Sequence, residues 1–146
     1  MLIKSIYLEN YRCFQRETLE CDRLTAIVGR NGSGKSSLLS ALEVFYDPGA
    51  PITIEDFYNK DTSVNIQIRV VYYELRSGGE KEEFAPYISN DELAVTKRIR
   101  WVNGKVEQKY YAATRQIAEF ATIRALGKKD QISAWNALVI EKKLPE

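Results

Sequence analysis

Gly29-Arg30-Asn31-Gly32-Ser33-Gly34-Lys35-Ser36 has the spacing G-x-x-x-x-G-K-[ST], whose residue types suit a polyphosphate. Phosphate oxygens need many donors on a concave surface. Glycines allow both the unusual dihedrals and the close approach, so the amides from Asn31 to Ser37 can point inward. A helix starting near Gly34 adds the positive end of its dipole. Lys35 is the candidate catalytic residue, a mobile point charge for the β- and γ-phosphates. The Ser36 hydroxyl is the candidate metal ligand, holding a Mg²⁺ that neutralises the same oxygens. The expected cofactors are therefore ATP and Mg²⁺, bound by Gly29, Arg30, Asn31, Gly32, Ser33, Gly34, Lys35, Ser36 and Ser37. The chain has no His, which excludes His-based general-base chemistry, His-containing zinc sites and Ser-His-Asp triads within it.

Such a loop must be held between a strand and a helix. Leu24-Thr25-Ala26-Ile27-Val28 is a compact apolar run of the kind found in a buried central strand. After the loop, Leu38, Ala41, Leu42 and Phe45 fall at i, i+3, i+4 and i+7, and Asp47-Pro48-Gly49 ends the helix they define. The spacing thus predicts a strand-loop-helix unit. Before it, residues 2–9 alternate with period two, Asn10-Tyr11-Arg12 breaks the strand, and Thr18 to Cys21 supplies a hairpin partner. After it, Val64 to Tyr73 and Val95 to Val102 read as strands, and Asn103-Gly104 followed by Lys105 to Ala112 reads as a hairpin. These predict an antiparallel meander. Short helices follow, one around Ile117, Phe120 and Ala121 and one from Asp130 burying Ile132, Trp135, Leu138 and Val139.

Composition narrows the class. With 146 residues and 45% hydrophobic content the chain can bury one core, and is too short for two. No apolar stretch approaches the roughly twenty residues needed to cross a bilayer, and the first residues lack the pattern of a secretory signal. A cytoplasmic protein with no membrane partner is expected, with Cys13 and Cys21 as thiols. Twenty-one Lys and Arg against 20 Asp and Glu leave any nucleic-acid surface to be local. One such surface is legible between Ala94 and Arg115, where Lys97, Arg98, Arg100, Lys105, Lys109 and Arg115 face only Glu107, with Trp101, Tyr110 and Tyr111 interleaved. Arg98, Arg100, Lys105 and Lys109 are the candidate nucleic-acid contacts. The competing reading is a solvated edge hairpin whose charges discourage strand pairing.

Ile6-Tyr7-Leu8-Glu9-Asn10-Tyr11-Arg12-Cys13-Phe14, the run Leu24 to Val28, and the loop through Leu42 resemble the start of ABC-type ATPases of DNA maintenance. That group includes RecF, the structural-maintenance-of-chromosomes proteins and the OLD-family ATP-dependent endonucleases. Glu55-Asp56-Phe57-Tyr58 before a long strand is similar to the OLD-type arrangement. The resemblance implies an α/β fold, the amino-terminal lobe of a P-loop NTPase, with Arg12 near the nucleotide phosphates. It further implies ATP-driven head-to-head homodimerisation and action on DNA in repair, recombination or defence against foreign DNA.

The same resemblance requires a Walker B strand, a signature segment and a switch His. Leu75-Arg76-Ser77-Gly78-Gly79-Glu80 is similar to the signature L-S-G-G-[EQ], but Arg76 intrudes and a strand precedes it, so a two-glycine hairpin turn is the better reading. Leu138-Val139-Ile140-Glu141-Lys142 has a Walker B outline, yet Lys142 stands where a carboxylate is needed and the flanks fit an amphipathic helix. Gln116 carries no assignment. Residues 1–146 are therefore expected to be a partial ATPase domain without Walker B, signature or effector domain, binding ATP without turning it over alone. The alternatives are a non-hydrolysing nucleotide-binding or interaction module and, last, a small P-loop kinase.

Overall fold

The computed structural model describes residues 1–113. Alternation of apolar and polar residues builds six strands: β1 (Leu2–Tyr11), β2 (Phe14–Glu20), β3 (Ile66–Tyr73), β4 (Ile88–Ser89), β5 (Glu92–Val102) and β6 (Lys105–Ala112). They form one sheet in the order β2-β1-β3-β5-β4, with β6 also pairing β5, and every pair is antiparallel. The expected meander is thus present. The β5–β6 hairpin turns at Asn103-Gly104, both at positive φ, as the dipeptide predicts.

Two sequence expectations give way here. Leu24 to Val28 is not a strand: it makes no backbone-to-backbone hydrogen bond among the described residues, and Leu24 and Val28 are 90% and 88% exposed. An apolar run becomes a strand only beside a neighbour, and the described sheet places none against it. The strand-loop-helix unit is therefore a loop-helix unit. Ser77-Gly78-Gly79 is not a hairpin turn either; it leads into a single helical turn, Glu80–Glu83, before the chain returns through β4 to β5. The predicted helices beyond position 114, together with Arg115, Gln116 and Leu138 to Lys142, lie outside the described residues.

Helix α1 (Lys35–Tyr46) covers one face of the sheet, burying Leu38, Ala41, Val44 and Phe45 with Leu8, Ile66, Ile68, Val70 and Ile99. Both of its ends are fixed by specific contacts. At the amino end Gly34 sits at φ +90, and a Cβ there would lie 3.0 Å from both Cys13 Sγ and Phe14 Cζ. The β1–β2 turn therefore seats the start of the helix, and only glycine fits. At the other end Lys97, fully buried, donates to the carbonyls of Val44, at 2.7 Å, and Asp47 and lies over the Tyr110 ring. These are among the last carbonyls of a helix, which have no partner inside it. Burial pushes the Lys97 pKa below its ordinary value, with the Asp47 carboxylate opposing that shift. Lys97 thus leaves the basic surface expected for the hairpin. Trp101 and Tyr110 leave it too: Trp101 packs edge-on against Phe57, and Tyr110 packs edge-on against Phe45 and donates to its carbonyl.

Lys97→Ala should destabilise the domain by about 3 kcal/mol, since it opens a cavity and strands two carbonyls, whereas Lys97→Met, which keeps the stem, should cost less. Urea titration followed by circular dichroism checks the order, and equal midpoints for both variants and wild type would refute it. At the other end Gly34→Ala should cost more than Gly32→Ala, because both force roughly 1–2 kcal/mol of left-handed strain but open space surrounds Gly32. The same titration reads that difference.

Candidate nucleotide-binding site

The loop from Gly29 to Gly34 approaches α1 through a turn in which the Ser33 amide donates to the Arg30 carbonyl at 3.2 Å. Gly32 and Gly34 both take positive φ, at +83 and +90. A Cβ on Gly29 would lie 2.7 Å from Ser33 Oγ, so the ends of the loop approach too closely for a larger residue unless Ser33 moves. The Lys35 ammonium turns back into this loop and donates to the carbonyls of Gly29 at 2.5 Å and Arg30 at 2.6 Å and to Ser33 Oγ at 3.3 Å. A cation held by weak neutral acceptors can be recruited by a stronger, charged one.

The start of α1 lacks the usual neutralising devices. It has no acidic residue in its first turn and no side-chain cap, so the amides at the amino end keep their donor capacity and the dipole its positive end. Ser36 is exposed at this end, and Ser37 is half-buried beside it. Arg30 and Asn31 are exposed on the loop. The structure thus brings Gly29 to Ser37 together at one helix terminus, with the two serines at the position that sequence spacing assigned them.

Arg12 is tied to a different partner. Its Nε donates to Asp56 Oδ1 at 2.9 Å and its amide to the Asp56 carbonyl at 2.8 Å, at a backbone φ of +48. Asp56 is buried, and its other carboxylate oxygen accepts from the Thr53 amide and hydroxyl. The neighbouring residues are tied down equally firmly: Asn10 donates to the carbonyls of Asp61 and Val64, and the fully buried Tyr11 shares a 3.1 Å hydrogen bond with Ser40 of α1. Cys13 and Phe14 then press on Gly34. Asp56 was marked in the sequence only as part of the OLD-like run Glu55-Asp56-Phe57-Tyr58, and its pairing with Arg12 is what sequence reasoning passed over. Its signal was the spacing of Thr53 and Asp56, which resembles a capping box; nothing in the sequence marks the Tyr11–Ser40 pair.

The hairpin candidates split by face. Arg98, Arg100, Lys105 and Lys109 lie on the side of the sheet away from α1, with Arg98 in register with Lys109, Arg100 with Glu107 and Lys105 with Val102. Arg100 pairs with Glu107 at 3.3 Å, and the Arg98 guanidinium lies 4.7 Å from the Tyr111 ring centroid.

A family model described as an AAA ATPase domain matches residues 1–143. Structural maintenance of chromosomes protein 6A of Arabidopsis thaliana is 37% identical over 66% of this chain and 9% of its own length. The OLD nuclease of Thermus scotoductus is 35% identical over 47% of this chain and 14% of its own. The DNA replication and repair protein RecF of Rickettsia prowazekii is 29% identical over 73% of this chain and 34% of its own. The chain spans at most about a third of the length of these relatives. With a family match along nearly its whole length, the chain belongs to the AAA ATPase domain family, among relatives of the DNA-maintenance group that its opening residues resemble.

Proposed function

We propose that this chain is the amino-terminal lobe of an ATPase and binds Mg-ATP through Gly29 to Ser37, with Arg12 close to the phosphates. The observation that carries the reading is the Lys35 ammonium turned into its own loop at the uncapped start of α1. In this reading the phosphates displace the Gly29 and Arg30 carbonyls from Lys35, and the loop amides and helix dipole complete the cradle. Among the described residues no group of three His, Cys, Asp or Glu could hold a metal by itself. The donor set therefore suits a hard cation that arrives with the nucleotide, held by the Ser36 hydroxyl and by phosphate oxygens, with water filling the remaining positions.

The names of the relatives, a RecF protein of DNA replication and repair, an OLD nuclease and a chromosome-maintenance protein, support action on DNA; a role in repair, recombination or defence and a nucleotide-dependent homodimer are what the resemblance of the opening residues implies. No described helix is long and apolar enough to cross a membrane, and we take the setting to be cytoplasmic. Binding without turnover is the second reading, because no Walker B strand ending in paired acids is legible in the sequence. The kinase reading recedes, because the strand after α1 pairs antiparallel with β1, where a parallel βα unit is needed.

Titration with Mg-ATP tests the site. Lys35→Ala should weaken binding by about two orders of magnitude, the loss of a charge-assisted contact, while circular dichroism and melting temperature stay near wild type because Lys35 is not among the buried residues and its hydrogen bonds are exposed. Unchanged affinity would remove the assignment.

A further inference from the structure

The face of the sheet opposite α1 is not simply a solvated back. Strand register sets its side chains in two adjoining rows. One runs Thr18, Tyr7, Arg69, Thr96, Tyr111; the other runs Arg16, Glu9, Gln67, Arg98, Lys109. Directly paired residues in an antiparallel sheet point to the same side, so both rows share one surface. The carboxylates beside these rows are engaged, where Glu9 accepts from Arg16 at 2.8 Å and from Gln67 at 2.6 Å and Glu107 pairs with Arg100, whereas Glu20, opposite Ser5 farther along β1, is exposed and makes no ion pair among the described residues. The Arg16 hydrogen bond holds the Glu9 carboxyl below its ordinary range.

Four cations remain on this side with no ion pair among the described residues: Arg69, Arg98, Lys105 and Lys109. Arg98 also has a buried Nε without a hydrogen-bond partner. Between these charges stands Tyr111, 44% exposed, with the Arg98 guanidinium against its ring. A trough of about 510 Å³ opens beside it, lined by Tyr7, Gln67, Arg69 and Thr96 among others.

We infer that this outer face is a platform for single-stranded nucleic acid, on which Tyr111 stacks a base while Arg69, Arg98, Lys105 and Lys109 follow the phosphates. Charge complementarity selects a polyanion. The exposed Tyr111 ring between the charges selects one with flat, unstacked groups. Width excludes a duplex groove: five strands at about 4.8 Å spacing make a face some 19 Å across, whereas a major groove is only about 12 Å wide. From Tyr7 to Tyr111 the row spans about 14 Å, room for a few nucleotides of an open strand. The platform does not rest on the nucleotide reading. Its residues lie on the far side of the sheet from α1, so Mg-ATP binding and strand binding stand or fall in separate titrations.

Fluorescence anisotropy of a labelled oligothymidylate of fifteen nucleotides, titrated with the 146-residue chain, tests it. The oligothymidylate should bind more tightly than the blunt duplex of the same length, and polyglutamate should compete weakly. Tyr111→Ala should lose about tenfold in affinity and Tyr111→Phe should restore it, since stacking needs the ring and not the hydroxyl. Replacing Arg98 and Lys109 by Gln should lower the slope of log affinity against log salt by about 1.4, the share of two phosphate contacts on a single strand. Equal affinity for duplex, equal competition by polyglutamate, or a Tyr111→Ala variant that binds like wild type would each overturn the platform. Mg-ATP affinity should be the same in all these variants.

Discussion

Everything at the candidate site depends on how α1 is held against the sheet. A twelve-residue helix is marginal in isolation, and its apolar stripe alone would allow it to slide or rotate. Two contacts remove that freedom. At its start the absence of a side chain at Gly34 lets Cys13 and Phe14 of the β1–β2 turn reach the backbone, and at its end the buried Lys97 binds the last carbonyls. The first contact sets where the phosphate loop must run. The second explains why a lysine stands in the middle of an otherwise apolar strand face, beside Leu8 and Ile68.

Asn10-Tyr11-Arg12, the end of β1 and the start of the turn after it, links the sheet to both the helix and the segment around Asp56. Each of its three side chains is satisfied by a different element: Asn10 by the carbonyls before β3, Tyr11 by Ser40, Arg12 by Asp56. Two of the three residues take positive φ, a cost of about 1–3 kcal/mol apiece that persists only where surrounding contacts over-determine the backbone. Rigid placement of this turn beside Gly34 is what those contacts accomplish. The salt bridge to buried Asp56 also fixes the guanidinium direction, which a solvent-exposed Arg at a strand end would not keep.

The two faces of the sheet divide the chemistry. One carries Ile66, Ile68, Val70 and the helix; the other carries Arg69, Arg98, Lys109 and Tyr111. A period of two writes both faces into the same strands, so a single residue of register separates a core contact from a surface charge. Lys97 and Arg98 are the sharpest case: neighbours in sequence and alike in charge, one closes the helix and the other lies against Tyr111.

Residue order alone determined the local elements: the strands from their alternation, α1 from its stripe, and the β5–β6 turn from Asn103-Gly104. These rest on short-range sterics and periodicity, which few neighbouring residues suffice to express. Only the tertiary structure decided what depends on a neighbour. Leu24 to Val28 has the composition of a central strand and no strand beside it among the described residues, so composition could not make it one. The basic run of the hairpin could not reveal that Lys97 belongs to the helix, or that Asp56 would claim Arg12, because both pairings join residues more than forty positions apart. Charge and hydrophobicity are properties of a residue, whereas burial and partnership are properties of the packed chain.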